Sequence, residues 1–202
     1  MNHEAILYDL DGVIIGRPPV QFSALWKYMF MGNRIYIPPE LPSTLNRTED
    51  PARISTFFEA TSFYFQSLRS VKSGISEHLG KQTADKFGNT GRPNKTPWVK
   101  MTRHTLSKGG VWTQFDDIFF KPVGAKTIES KGVAIAQTCE AYEVVTHIDD
   151  NPADVLGLAK FFPNVQFIIV SDRSTGILMS RVELREYPNV KRVALLSQEP
   201  IH

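Results

Sequence analysis

Residues 5–13 read Ala-Ile-Leu-Tyr-Asp-Leu-Asp-Gly-Val, an apolar run that leads directly into two carboxylates and a glycine. The run is apolar without alternation, which is typical of a strand buried on both faces of a parallel sheet. Side chains two positions apart lie on the same side of a strand, so Asp9 and Asp11 are expected to share one small volume. Two carboxylates this close repel each other, so either one stays protonated or a cation lies between them. Gly12 lets the chain turn sharply just beyond.

A second apolar strand pattern ends in carboxylates near the other end of the chain. Val144 to Ile148 leads into Asp149 and Asp150, and Asn151-Pro152 then begins a helix. Ligands of open parallel sheets bind outside the carboxyl ends of the strands, so the two acidic pairs are predicted to meet at one edge. Oxygen ligands of this kind suit Mg²⁺. Asp150 also fits a helix N-cap, a role that is compatible with metal binding.

Strand and helix patterns alternate in the second half of the chain. This alternation predicts an α/β fold with a doubly wound parallel sheet and right-handed crossovers. The predicted helices cover residues 130–141 and 151–161. The predicted strands, besides residues 5–10, are Trp98–Thr102, Ile118–Phe120, Val144–Ile148, Val165–Val170 and Val193–Leu196.

Residues 14–95 interrupt the alternation of strands and helices. Apolar spacing predicts helices over residues 20–31 and 71–87, and a helix rich in aromatic residues after Asp50-Pro51. Residues 88–95 contain glycine, proline, arginine and lysine, which indicates a basic, turn-rich connector. The sequence therefore predicts an α/β core formed by residues 1–16 and 96–202, and a helical insertion formed by residues 17–95.

Composition places the chain among soluble globular proteins. It has 202 residues, of which 42% are hydrophobic and 22% are charged. A net charge of +2 does not favour a nucleic acid as the partner. Cys139 is the only cysteine, which excludes an intramolecular disulfide. The sequence has no signal peptide and no apolar run of membrane-spanning length, so we expect a cytoplasmic protein without a membrane partner.

The sequence Asp9-Leu10-Asp11-Gly12-Val13 after an apolar strand resembles the signature of the haloacid dehalogenase-like superfamily, which consists chiefly of phosphatases and phosphotransferases. The stretch ending in Asp149-Asp150 looks like the fourth motif of that superfamily. The resemblance covers about residues 5–16 and 98–172. It implies a Rossmann-like core and a helical cap domain between the first strand and the rest.

The resemblance also implies a Mg²⁺-dependent phosphatase that forms an aspartyl-phosphate. Asp9 would attack phosphorus, and Asp11 would protonate the leaving oxygen and then deprotonate the hydrolytic water. The Mg²⁺ ligands would be the Asp9 carboxylate, the Asp11 backbone carbonyl and Asp150, with Asp149 in a supporting role. The expected substrate is a phosphorylated small molecule.

Two further residues are implied for binding the substrate phosphate. The superfamily places a serine or threonine at the end of a second strand, and Thr102 fits this position, with Thr96 and Thr105 as alternatives. It also places a lysine near the start of the helix before the acidic strand. Lys131 fits best because its helix leads directly to Val144, whereas the alternatives are Lys121 and Lys126.

Three alternatives remain open at this point. The same aspartyl-phosphate serves phosphotransferases and phosphomutases, and the sequence does not distinguish these from a phosphatase. The spacing from Lys131 to Asp149-Asp150 also resembles polynucleotide-end phosphatases. A protein of another class would be a catalytically silent scaffold that binds a partner through its aromatic helix. The sequence does not determine the oligomeric state.

Overall fold

The computed structural model of the protein describes residues 3–16, 37–170 and 184–194. Within these ranges, six parallel strands form one sheet in the order β3-β2-β1-β4-β5-β6. The strands are β1 Glu4–Tyr8, β2 Asp85–Pro93, β3 Asp117–Lys121, β4 Val144–Asp149, β5 Gln166–Val170 and β6 Val190–Val193. The helices are α1 Phe57–Ser67, α2 Ile75–Lys81, α3 Thr96–Lys108, α4 Thr127–Ala141 and α5 Pro152–Ala159, and there are 3₁₀ turns at Trp112–Gln114 and Leu184–Glu186.

Strand β1 lies at the centre of the sheet and is buried on both faces. Ile6 and Tyr8 belong to the apolar cluster on one face, which also contains residues of α2 and α3. Leu7 points to the other face and packs with residues of α4 and α5. The side chains of a strand alternate between its faces, so a run without polar residues is what a strand covered on both sides requires. The predicted fold class is confirmed.

Residues 85–93 form strand β2, which pairs in parallel with β1 from Ala5↔Asp85 to Tyr8↔Gly88. The sequence analysis placed these residues in the helical insertion and described 88–95 as a connector, and both predictions are wrong for this stretch. At Gly88, the neighbouring side chains of β3 and of the residue pair after β1 leave no room for a side chain. A Cβ atom on Gly88 would lie 3.0 Å from two carbon atoms of Ile118 and 3.3 Å from Leu10.

Residues 98–102, predicted as a strand, lie instead in helix α3. Pro97 stands in the first turn of this helix, where proline needs no backbone hydrogen-bond donor and supplies a helical φ angle. The predicted strands near 118, 144 and 165 and the predicted helices near 130 and 151 are confirmed, with bounds shifted by a few residues. The last strand begins at Val190 rather than at Val193.

The loop after β1 forms a small paired structure that we call the flap, residues 11–16. The flap is closed by hydrogen bonds from the Gly12 amide to the Ile15 carbonyl at 2.8 Å and from the Ile15 amide to the Leu10 carbonyl at 2.7 Å. It then pairs with the chain far ahead in the sequence. Ile15 bridges Val71 in antiparallel orientation, and the Gly16 amide donates to the Ser70 carbonyl at 2.9 Å. The segment between Gly16 and Ser70 therefore leaves and rejoins the core at one point.

The described part of that segment contacts the core at several places. Leu41 packs beside Gly132 of α4, and the Arg47 side chain pairs with Asp117 at the start of β3 at 3.0 Å. Helix α1 begins at Phe57, later than Asp50-Pro51 suggested, because the Thr56 side chain accepts the Glu59 amide as an N-cap. The helix predicted over residues 20–31 lies outside the described residues.

Helix α1 presents two different faces. Its inner face docks on α3, where the Phe63 ring meets Trp98 edge to face at 5.4 Å and Glu59 pairs with Lys95 at 2.8 Å. Its outer face carries exposed apolar side chains, namely Phe57, Phe58, Tyr64, Phe65 and Leu68. Among the helices of the described residues, none is both long enough and apolar enough to cross a membrane.

Candidate active site

Asp9 stands at the carboxyl end of the central strand. Its backbone amide donates to the Ile148 carbonyl of β4 at 2.7 Å, which holds the two strand ends side by side. Asp149 is the last residue of β4 and Asp150 follows it, so the two acidic pairs lie at one edge of the sheet, as the parallel topology requires. Asp9, Asp149 and Asp150 are all buried, and Asp9 is only 4% exposed.

Lys131 enters this acidic group from the second turn of α4. Its Nζ atom lies 2.6 Å from Asp149 Oδ2, 3.1 Å from Asp9 Oδ1 and 3.1 Å from Asp154 Oδ2. Burial opposes the charged ammonium, but the carboxylates of Asp149, Asp9 and Asp154 outweigh it and raise the pKa of Lys131 well above the usual lysine value. Lys131 is therefore a fixed positive charge against the Asp9 carboxyl group.

The Asp9 carboxyl group is in an environment that disfavours its ionised form. Burial is the largest cause, and the carboxylates of Asp149, Asp150 and Asp11 add to it, so that the pKa of Asp9 is raised well above its usual value despite the opposing effect of Lys131. A nucleophilic carboxylate must be ionised. A further positive charge near Asp9 would favour that form.

The carboxylate group of Asp9, Asp149 and Asp150 fits a divalent cation. One ligand oxygen from each residue lies within 4.8 Å of the others, and all three residues are buried. Four acidic residues, Asp9, Asp149, Asp150 and Asp154, lie around the single ammonium of Lys131, and a divalent cation would reduce this imbalance of charge. The donors are oxygen atoms, which match Mg²⁺ rather than a metal that prefers sulfur or nitrogen. Among the described residues, this is the one such group of potential metal ligands.

Asp11 lies on the flap and is held by two arginines. Arg92 of β2 donates from Nε to Oδ2 at 2.8 Å and from Nη2 to Oδ1 at 2.7 Å. Arg69, just beyond α1, donates from Nη1 to Oδ1 at 3.0 Å. The sequence analysis did not identify either arginine. Arg92 lay in a stretch interpreted as a connector, and Arg69 belongs to the insertion, for which no pattern was recognised.

Thr102, predicted to end a strand, lies inside α3 and is fully buried. Its hydroxyl donates to the Trp98 carbonyl and accepts Nη1 of Arg92, each at 2.8 Å. Thr102 therefore supports Arg92 instead of ending a strand next to Asp9. Asn89 and Thr90 of β2, both fully buried, follow directly after Gly88, where the pairing of β2 with β1 ends. Thr90 was overlooked in the sequence because only Phe87 gives its strand an apolar signal.

The alternatives to Lys131 and to Thr102 lie elsewhere. The Nζ atom of Lys121 donates to the Ala125 carbonyl at 3.0 Å, and burial lowers its pKa. Lys126 pairs with Glu129 on the surface at 3.4 Å. Thr96 begins α3 and its hydroxyl donates to Glu49 at 2.6 Å, whereas Thr105 is buried within α3. Of the three lysines, Lys131 alone contacts Asp9.

Asn89 and Asp154 complete the surroundings of Lys131. Asn89 Nδ2 donates to the backbone carbonyl of Lys131 at 3.3 Å and thereby ties β2 to α4. Asp154, in the first turn of α5, shares the Lys131 ammonium with Asp9 and Asp149. Asp154 was visible in the sequence as a third acid after Asp149-Asp150, but it was not assigned a role.

His147 of β4 is a core residue rather than a ligand, as its place inside a buried strand suggested. It is fully buried, and its ring meets Phe167 at 5.7 Å. Burial lowers the pKa of His147 to about 3, so the imidazole is neutral at physiological pH.

Comparisons with known proteins agree with this architecture. A hydrolase of the haloacid dehalogenase-like family from Streptococcus pneumoniae matches with 14% sequence identity and a TM-score of 0.51, covering 93% of this chain and 92% of the other. Protein tyrosine kinase A of Mycobacterium tuberculosis matches with 17% identity and a TM-score of 0.49, covering 84% of each chain. A Lactobacillus plantarum protein, provisionally described as a phosphoglycolate phosphatase, matches with 12% identity and a TM-score of 0.47, covering 97% of each chain.

The Streptococcus match, with a TM-score of 0.51, supports the fold class. The chain has the α/β fold of the haloacid dehalogenase-like proteins, as the resemblance at Asp9-Leu10-Asp11-Gly12-Val13 implied. Of these three matches, the Streptococcus protein exceeds a TM-score of 0.5, and its 14% identity establishes the fold and not the activity. No protein-family model matches the sequence, and no curated protein matches it either.

Proposed function

We propose that this protein is a Mg²⁺-dependent phosphatase that hydrolyses a phosphorylated small molecule through an aspartyl-phosphate on Asp9. One observation carries the proposal. Asp9 stands at the carboxyl end of the central strand with the Lys131 ammonium 3.1 Å from its Oδ1, inside the buried carboxylate group that fits a divalent cation. A nucleophile, a fixed cation and a metal site in one small volume are what phosphoryl transfer requires.

The residues of the chain divide the reaction between them. Asp9 attacks phosphorus, the leaving oxygen departs with a proton from Asp11, and Asp11 later accepts a proton from the water that cleaves the acyl phosphate. Lys131 compensates the charge of the transferring phosphoryl group and of Asp9 at the same time. Thr90 supplies a hydroxyl group at the neighbouring strand end.

The metal would be held by the carboxylates of Asp9 and Asp150 and by the backbone carbonyl of Asp11, with Asp149 supporting the site from beside Lys131. Mg²⁺ bound there supplies neutralisation of the phosphate charge and orientation of the phosphoryl group. Asp149 accepts the Asn151 amide on Oδ1 at 2.9 Å and the Lys131 ammonium on Oδ2 at 2.6 Å, so its own orientation is fixed.

Hydrolysis of 4-nitrophenyl phosphate by the purified protein, with Mg²⁺ and with EDTA, tests the proposal. We expect phosphate release that depends on Mg²⁺ and is abolished in Asp9→Asn, which removes the nucleophile at nearly constant volume. The control is Asp117→Asn, because Asp117 lies at the amino end of β3, away from the proposed site. Near-normal hydrolysis by folded Asp9→Asn would refute the mechanism.

A further inference from the structure

The contact between Asp11 and Arg92 fixes the orientation of a carboxylate as well as its position. Two parallel N–H···O bonds join the groups, from Nε to Oδ2 at 2.8 Å and from Nη2 to Oδ1 at 2.7 Å. A two-point contact of this kind is specific to arginine, whose planar fork matches a carboxylate, whereas lysine makes a point contact. Arg69 adds a single contact to Oδ1 at 3.0 Å.

Arg92 is itself held rigidly. Its side chain is only 1% exposed, and its remaining donors bind residues from two different helices. Nη1 donates to the Thr102 hydroxyl of α3 at 2.8 Å, and Nη2 donates to the side-chain Oε1 of Gln66 in α1 at 3.1 Å. The guanidinium group therefore has little freedom to move independently of these helices.

Helix α1 contributes Gln66 to this arrangement, and Arg69 follows two residues after the helix ends. The helix is fastened to α3 by the Glu59–Lys95 pair at 2.8 Å, in addition to the packing of its inner face. Its outer face is exposed, so these inner contacts are the ones that determine where Gln66 and Arg69 lie. The position of α1 is thereby linked to the orientation of the Asp11 carboxylate.

We propose that Arg92 is a positioning residue for Asp11, and that Gln66 and Arg69 make this positioning depend on the docking of helix α1. The inference rests on the proposed function, in which Asp11 exchanges protons with the leaving group and the water. Asp11 lies on the short flap, where the hydrogen bond from the Gly12 amide to the Ile15 carbonyl holds the backbone but does not fix the side-chain torsions of Asp11. A displacement of about 1 Å in a reacting group can cost roughly a hundredfold in rate.

Separate measurement of kcat and KM with 4-nitrophenyl phosphate tests the proposal. In Arg92→Lys, which keeps the charge but loses the two-point contact, we expect kcat to fall about a hundredfold with KM within about twofold of the wild type. Arg69→Lys, which can keep a single contact, should retain kcat within about fivefold. Arg47→Lys is the matched control, since Arg47 pairs with Asp117 at the amino end of β3. Equal kcat values for Arg92→Lys and Arg47→Lys would overturn the proposal.

A double-substitution cycle separates positioning from general stability. If Arg92 acts through Asp11, then Arg92→Lys lowers kcat in the wild type but has no further effect in the Asp11→Asn background. Independent, multiplicative losses contradict the proposal. All assays are performed well below the unfolding temperature of each variant, because removing a contact to a buried charge also lowers stability.

A crystallographic readout keeps the proposal separate from the proposed function. We expect the Asp11 side chain to change its rotamer, or to be displaced, in Arg92→Lys and to stay in place in Arg47→Lys. An unchanged Asp11 carboxylate in Arg92→Lys refutes the positioning role even if the protein has no phosphatase activity. Conversely, a wild-type protein that fails to hydrolyse any phosphate ester contradicts the proposed function, while the position of Asp11 in the two variants still decides the role of Arg92.

Discussion

Replacing Lys131 by methionine is the perturbation for which the structure gives the clearest consequence. Methionine has a similar length and no charge, so the substitution removes the ammonium and its contacts to Asp9, Asp149 and Asp154. Two of these carboxylates, Asp9 and Asp149, are almost completely buried. Removing one partner of a buried ion pair costs about 3–5 kcal/mol, because the remaining charges stay out of water without compensation.

This free energy has a measurable size in thermal unfolding. For a chain of this length, 1 kcal/mol shifts Tm by about 2–4 °C, so Lys131→Met should lower Tm by roughly 6–20 °C in EDTA. Because the folded pKa of Lys131 is raised, its contribution to stability is complete below the ordinary lysine pKa of 10.5 and is lost only as the pH rises through the higher folded value. The difference in free energy of unfolding between the wild type and Lys131→Met should therefore be constant below pH 10.5 and shrink at higher pH.

The catalytic effect is measured separately. Loss of one preorganised electrostatic contact lowers activity by roughly 10²–10³-fold, and we expect at least a hundredfold loss of kcat/KM in Lys131→Met, measured where the variant is folded. Lys121→Met is the control, since Lys121 contacts the Ala125 carbonyl and should change both Tm and kcat/KM much less. Similar losses in the two variants, or a larger loss in Lys121→Met, would show that the assignment of the active-site lysine is wrong.

Three further predictions concern the metal site, helix α1 and the flap. Mg²⁺ at 100 times its Kd should stabilise the wild type by about 2.7 kcal/mol and Asp150→Asn by much less. The measurement is the Tm of each protein in EDTA and in Mg²⁺, and equal Tm shifts in the wild type and in Asp150→Asn would contradict a metal site at Asp150. Hydrogen bonds from Lys95 lower the pKa of Glu59 from 4.5 to about 2, so the stability it provides is complete above pH 4.5 and is lost as the pH falls towards 2. The free energy of unfolding of Glu59→Gln, measured in urea, should lack that pH dependence. In the wild type, solvent screening limits the pH-dependent contribution of Glu59 to about 1–2 kcal/mol. A pH profile of Glu59→Gln equal to that of the wild type would refute this prediction. Gly109→Ala should destabilise the protein by about 1–3 kcal/mol and lower activity, because the new Cβ would lie 2.6 Å from Val71 Cβ, next to the flap. The control is Gly80→Ala, which should be neutral or stabilising because the nearest atom to its new Cβ lies at 4.0 Å.

The sequence predicted the acidic edge of the sheet because β1 and β4 carry continuous apolar runs that end in carboxylates. Lys131 could be placed because its helix leads directly into β4. Strand β2 could not be recognised, since its interior consists largely of Gly88, Asn89 and Thr90. Its polar side chains are buried through specific partners rather than through apolar contacts, and a hydrophobic pattern does not report such partners.

The same limitation explains why the arginine contacts to Asp11 were missed. Arg92 and Arg69 come from segments far apart in the sequence, and nothing in their spacing indicates that they converge on one carboxylate. Thr102 was misassigned for a related reason. The short run Trp98–Thr102 suits a strand by composition, but Pro97 and the buried positions Trp98, Met101 and Thr105 match a helix whose inner face is buried.

The hydrogen bond between Gly16 and Ser70 has a consequence for how such a protein can diversify. It closes the intervening segment into a loop whose two ends are adjacent, so changes in the length or sequence of that loop need not disturb the pairing of β1 with β2 and β4. The entropic contribution to the free energy of closing a flexible loop rises by only about 0.6 kcal/mol for each doubling of loop length. Selection for a new substrate can thus act on much of this loop, provided that Gln66 and Arg69 keep their contacts to Arg92 and Asp11, while the pairing of the sheet and the position of Asp9 are preserved.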